Sequence, residues 1–331
     1  MNRFNLLLLA FLSYTALLQA QYKVSKVFHI QSGGGYDYTT VDSASDRLYL
    51  SHGSQVNVLN KVTGDSISVI KTEKDVHGIA LAHEFGKGYI SNGSLNSVLV
   101  FDLKTFRVLA HVPAGQFTDG IFYDDYSKKV ISCNGRGKSM TVIDPSTDQV
   151  TATIQLTGWP ETAVSDGKGK IYVNNAEKSE MDVIDSKTYQ IINTWSIVPG
   201  KSASGLAIDR NSMRLFAGCD NQKLIVMDAV TGKVVTSMPI GDGCDAVGFD
   251  KTLKRVYSSN GDGTLTVIEE KSPDIFEVIQ NLKTKEGART QAVDQATHRI
   301  YLPTGDFAPK KQGEFRPALI PGTFQVLVVE M

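Results

Sequence analysis

Cysteine is scarce: Cys133, Cys219 and Cys244 are the only three in 331 residues. An odd, sparse set excludes a disulfide framework and leaves at least one thiol unpaired within the chain. No Cys-x-x-Cys-His haem attachment and no zinc spacing occurs. An excess of one charge is also missing. The formal net charge is −1 and no long basic run occurs, so non-specific nucleic-acid binding is not indicated. After residue 20 no segment stays apolar for the roughly 18 residues a spanning helix needs. Gly-rich phosphate cradles, a Gly-x-Ser-x-Gly elbow and a His-Glu-x-x-His helix are all absent. Gly33-Gly34-Gly35 precedes a predicted strand, not a helix, and reads as a loop.

The N-terminus has its own character. Met1-Asn2-Arg3 supplies a short cationic start, and Leu6 to Leu18 is apolar apart from Ser13, Tyr14 and Thr15. Leu18-Gln19-Ala20 then places a small residue before Gln21. This order predicts a secretory signal peptide over residues 1–20, cleaved after Ala20, and a periplasmic or secreted mature protein. No cysteine follows the cleavage position to carry a lipid.

What is abundant is repetition. Alternating strands of the form Val-x-Val-Ile-Asp end at Asn60, Asp102, Asp144, Asp185, Asp228, Glu269 and Glu330, spaced 41 to 43 residues apart and then 61. A second series, Asp42, Ala82, Asp124, Ser165, Asp209, Asp250 and Asp294, is followed seven residues later by Tyr49, Tyr89, Ile131, Tyr172, Phe216, Tyr257 and Tyr301. A period near 40 built only of short strands predicts an all-β, seven-bladed propeller of four-stranded antiparallel blades, one domain over residues 21–331. Within each blade, strand a is apolar, b carries the aromatic residue, and c and d alternate. Between c and d, turns such as Asp228-Ala229-Val230-Thr231-Gly232 combine Asp and Thr side chains that bond turn amides with a glycine that accepts positive φ. The seventh blade lacks an outer strand after Met331, and Val24 to Ile30 has the pattern to supply it and close the ring.

Ile171-Tyr172-Val173-Asn174-Asn175 followed by Met181-Asp182-Val183-Ile184-Asp185 resembles the YVTN-type repeat. Tyr89 to Gly93 with Val98 to Asp102, and Val130 to Gly135 with Thr141 to Asp144, are further copies. The resemblance spans residues 22–331 and is to the YncE-like seven-bladed propellers. It implies the same fold, an extracytoplasmic location and a binding or surface role.

Loops joining d to the next a, and b to c, share one face of a propeller. Five residues before each first-strand anchor stand Asp37, His77, Asp119, Pro160, Ser204, Asp245 and Arg289, with Glu161 beside Pro160. The repeat symmetry places these around the channel mouth. Ten residues after each anchor come His52, Asn92, Asn134, Asn175, Cys219, Asn260 and Thr304 on the b-to-c turns. Converging carboxylates and amide oxygens suit a divalent cation or a polar small molecule. Turn-forming asparagines and a solvated acidic rim are the plainer reading. His52 and His77 are candidate neighbours for a transition metal, and Cys219 and Cys244 for a disulfide that leaves Cys133 free. The extra residues of blade seven, about 304–322, are a candidate lid offering Lys310, Lys311 or Arg316 to an anion.

The expected function is a secreted or periplasmic binding protein, a monomer, presenting its polar channel face to a small polar ligand or a protein. The alternative is a metal-dependent hydrolase resembling lactonase-type propellers. There a cation polarises a carbonyl, and Asp37, Asp119, Glu161 and Asp245 are candidate ligands or bases.

Overall fold

The structure is a computed structural model that describes residues 21–313 and 317–331. The expected signal peptide and Arg316 lie outside the described residues. Seven four-stranded antiparallel sheets form a ring, and the first strands of neighbouring sheets touch all the way from blade seven back to blade one. In blades one to six, strands a to d follow in chain order. Strand a is Tyr36–Val41, Val76–Ala82, Thr118–Asp124, Pro160–Ser165, Ala203–Asp209 and Cys244–Asp250 in turn. Among the described residues no helix is long and apolar enough to cross a membrane.

Blade seven is assembled from both ends of the chain. Its strands a to c are Ala292–Val293, Ile300–Thr304 and Gln325–Glu330, and its outer strand is Lys23–His29, with Phe28 opposite Val326 and Val24 opposite Val329. The N-terminal segment also reaches blade six. The hydroxyls of Tyr22 and Tyr257 are hydrogen-bonded at 2.8 Å, and Arg255 donates to the Tyr22 hydroxyl at 2.7 Å.

The core is divided into seven apolar clusters, one at each junction between blades. Period-2 alternation explains this division. Along strand b of blade one, Leu48 and Leu50 face blade seven while Tyr49 faces blade two. The repeated tyrosines also fasten blades through their hydroxyls. Tyr301 donates to the Lys61 carbonyl at 2.9 Å, and Tyr172 donates to the Ala229 carbonyl at 2.8 Å. On the face opposite the channel mouth, the Val-x-Val-Ile-Asp strands end in the expected turns. Asp102 accepts from the Lys104 and Thr105 amides, and Asp185 and Asp228 repeat the pattern.

Strands a crowd one another around the channel, so small residues are required there. A Cβ on Gly205 would stand 2.5 Å from the Val247 nitrogen and 2.7 Å from the Ala246 carbonyl carbon, both main-chain atoms. Gly205→Ala should therefore cost about 1–3 kcal/mol through overpacking. Urea denaturation checks this; an unshifted midpoint would show that the blades give way freely.

Candidate functional site

Each strand a of blades one to six opens with a β-bulge. Tyr36 opposes His52, but Thr39 already opposes Leu50, so Asp37 and Tyr38 lie on the bulged stretch. The same register shift occurs after Val76, Thr118, Pro160, Ala203 and Cys244. Bulges re-aim side chains. Here the second residue of each strand, Asp37, His77, Asp119, Glu161, Ser204 and Asp245, lines a cavity of about 870 Å³. Arg289, just before the short first strand of blade seven, completes the ring by bridging Asp245 and Asp37.

Glu161, not Pro160, is the ring member of blade four. Pro160 opposes Asn175 as Thr118 opposes Asn134. The turn-capping residue of that blade is Asp166, which accepts from the Lys168 and Lys170 amides, so a count from Ser165 falls one residue short.

Buried polar residues of strand b hold the bulges. Ser51 accepts from the Asp37 amide at 3.1 Å and donates to the Tyr38 carbonyl at 2.9 Å. Ser91 accepts from the Gly78 amide at 2.7 Å and donates to the Asp119 carbonyl of the next blade. Asn174 donates to the Ser204 and Gly205 carbonyls, and Ser259 donates to the Arg289 carbonyl at 2.6 Å. These bonds satisfy main-chain groups that the bulge removes from the ladder, so the ring is fixed by its neighbours.

The ring divides electrostatically. On one side Arg289 Nε lies 2.6 Å from Asp245, with Nη2 3.7 Å from Asp37 and donating to the Tyr36 carbonyl at 3.2 Å. His77 Nδ1 donates to Asp37 at 2.6 Å and stands 3.6 Å from Asp119 Oδ1. Its Nε2 faces Asp75 at 3.6 Å, and Ser94 donates to Asp75 at 2.5 Å. Burial opposes a charge on His77, but Asp37, Asp75 and Asp119 outweigh it and raise its pKa to about 11. His77, 3.6 Å away, is the main cause that lowers Asp75 to about 2.

The other side of the ring contributes no cation of its own, although Arg136 and Lys138 line the cavity wall. Burial, then the field of Asp37, pushes Asp119 upward against the pull of His77. Burial together with Asp119, Asp245 and Asp37 pushes Glu161 to about 8. Asp119 is 8% exposed, and its Oδ1 has no hydrogen-bond partner. Glu161 makes neither a hydrogen bond nor an ion pair among the described residues.

Three comparisons bear on this architecture. No family model matches the chain, and no curated protein matches it in sequence. Solved structures do match. Hydrazine synthase of Kuenenia stuttgartiensis aligns with a TM-score of 0.73 at 13% identity, covering 83% of this chain and 94% of that one. U3-55K aligns at 0.77 and 8%, covering 91% and 97%. The WD40 repeats of RRP9 align at 0.78 and 8%, covering 92% and 97%. The likeness is one of fold alone.

Several lining groups carry no sequence repeat. Phe117 and Trp159, each immediately before a strand a, form an aromatic wall with ring centres 5.9 Å apart. Phe117 has φ 57°, a left-handed conformation that costs an L-residue about 1–2 kcal/mol. Its ring lies against His77 at 5.2 Å and under the Arg136 guanidinium at 4.8 Å. Lys138, paired with Glu177 at 2.7 Å, and Asp220 also line the cavity. Tyr38 lines both this cavity and a second of about 160 Å³, where other blades carry Gly78, Gly120 or Thr162.

Other expected groups are placed elsewhere. Asn92, Asn134, Asn175 and Asn260 are buried inside their blades and do not line the cavity. Asn134 donates to Ser139 and Thr141 and Asn260 to Thr264 and Thr266, so these two brace b-to-c turns; Asn175 donates to Thr157 ahead of its own blade, and the Asn92 side-chain amide makes no hydrogen bond among the described residues. His52 is not paired with His77. Its nitrogens lie 2.7 Å from Ser32 Oγ and 2.9 Å from the Gly34 carbonyl, its ring stacks on Phe324, and burial lowers its pKa.

Cys219 and Cys244 form no disulfide; all three cysteines are free and buried. Cys219 packs at the junction of blades four and five, Cys244 at that of five and six, and burial raises both to about 12. Nor do the described residues of the 304–322 insertion reach this cavity. Phe307 bridges to Leu319 and packs on Tyr36, and Asp306 pairs with Lys285 at 2.5 Å.

Proposed function

We propose that the protein is an exported propeller of the YVTN type that captures a small polar ligand carrying a positive charge in its channel-mouth cavity. The observation that carries this reading is Glu161, a partly buried acid with no hydrogen-bond or ion-pair partner among the described residues, lining a cavity of small-molecule size; burial and the acids around it raise it to about 8, so a bound cation would draw off its proton. The ring holds four acids, Asp37, Asp119, Glu161 and Asp245, but only two cations, His77 and Arg289. An ammonium or guanidinium group would restore the balance, and the Phe117–Trp159 wall would favour it through its π faces. Export is supported by the apolar segment after Arg3, and the family assignment by the Tyr-Val-x-Asn and Val-x-Val-Ile-Asp motifs.

A panel of amino-acid and polyamine cations screened by thermal shift, followed by calorimetry, tests the ligand class. A charge-assisted hydrogen bond is worth about 1.5–3 kcal/mol, so Glu161→Gln should weaken the captured cation by about 10-fold to 100-fold without lowering the melting temperature. Exclusive binding of anions, or equal affinity in the variant, would rule the reading out. The Asp37, His77 and Asp119 group favours a second reading, a metal-dependent hydrolase resembling lactonase-type propellers, with Glu161 as the neighbouring acid–base group.

A further inference from the structure

The donor atoms of Asp37, His77 and Asp119 lie within 4.8 Å of one another, on three adjacent blades. We infer that they form a binding site for one divalent first-row transition metal ion, which replaces the Nδ1 proton that His77 donates to Asp37 and releases it to solvent, with the remaining coordination positions open to the cavity. The inference deepens the channel-mouth reading proposed above and rests on the cavity being the functional site.

Four observations carry it. Asp119 Oδ1 is a buried acceptor without a hydrogen-bond partner, and its residue lines the cavity. A buried carboxylate oxygen without a hydrogen bond is costly, and His77 at 3.6 Å offsets this only as an ion-pair contact. His77 turns Nδ1 toward both carboxylates and Nε2 toward Asp75. Metal-bound imidazoles are commonly oriented by an acceptor on the far nitrogen; Asp75 stands in that place at 3.6 Å, and Nε2 has no hydrogen-bond partner among the described residues. Asp75 is itself held by Ser94.

The spacing also fits. Ligands about 2.1 Å from an ion stand roughly 3–4 Å apart, so the 3.6 Å between His77 and Asp119 needs no change. The 2.6 Å contact between His77 and Asp37 must open by about half an ångström to reach that range. Finally, the donors come from bulged strands tied down by Ser51 and Ser91, so the site is held before an ion arrives.

One imidazole nitrogen and two carboxylate oxygens suit manganese, iron or zinc better than magnesium or calcium, which prefer all-oxygen shells. The expected order of affinity is Zn²⁺ over Mn²⁺ over Mg²⁺.

The test is calorimetric titration of the chelator-treated protein with MnCl₂ and ZnCl₂, with bound metal measured after desalting. One ion per chain is expected. Asp119→Asn should weaken it at least 10-fold. Asp75→Asn should weaken it by about 10-fold to 100-fold through loss of imidazole orientation. Circular dichroism checks each variant. If Asp119→Asn does not fold, Asp75→Asn decides, because Asp75 lies at the more exposed edge of the group. Sub-stoichiometric metal, or affinity unchanged in the folded variants, would overturn the site. Metal binding without capture of any cationic ligand would remove the ligand reading alone; ligand capture without metal would remove this one alone.

Discussion

Deleting residues 21–30 is expected to abolish the folded monomer. That segment is the outer strand of blade seven, and among the described residues no other strand pairs with that edge of Gln325–Glu330. It buries Tyr22, Phe28 and Ile30, each worth about 1.5–3 kcal/mol. Together these are comparable to the net stability of a whole domain, about 5–15 kcal/mol. The deletion also frees the Tyr257 hydroxyl and the Arg255 guanidinium at the junction with blade six. Size-exclusion chromatography and thermal melts should show aggregates or strand-exchanged oligomers. A monomer that melts like the intact protein would mean that the ring does not need its N-terminal strand.

Arg289→Ala should be the most destabilising single change in the cavity ring. The guanidinium is 12% exposed, clamped to Asp245 and near Asp37, and stacked on the Tyr36 ring. Its removal leaves two half-buried carboxylates with one less cation between them; breaking a fully buried pair costs about 3–5 kcal/mol, so the loss here should approach the lower end of that range. Lysine should restore only part of the loss, because it lacks the planar fork that reaches both acids and the Tyr36 carbonyl. Urea denaturation measures both variants, and a wild-type midpoint for Arg289→Ala would contradict the clamp. The contrast with Glu161→Gln matters. One ring position holds blades six, seven and one together, and the other has nothing to hold.

Much of the architecture is legible from spacing because every blade repeats the same local chemistry. Asp102, Asp185 and Asp228 must each accept from the same two turn amides, so their period counts blades directly. The closing strand is legible because Val24 to Ile30 carries a strand pattern with no blade of its own. The ring is legible to within one residue, and blade four slips because Ser165 stands where counting expects the capping acid, which is Asp166.

What spacing does not carry is whatever depends on a partner strand. The bulges that aim Asp37 and Asp119 arise from pairing register and from Ser51 and Ser91, which lie on other strands. An asparagine ending strand b resembles an exposed turn former, yet Asn134 and Asn260 are buried against threonines of strand c. Phe117, Trp159 and Asp220 escape for another reason. They lie outside the repeated strands, where no spacing rule applies.

The central claim is that the bulged channel face binds and the Val-x-Val-Ile-Asp turns on the opposite face only build the blades. Hydrogen exchange of the protein with and without its captured cation tests it most directly. Protection should rise at the bulged starts of strands a, around residues 36–38, 76–78, 118–120 and 160–162, and stay unchanged in the turns at 102–106, 185–189 and 228–232. Protection confined to those turns, or to the outer strands, would contradict it.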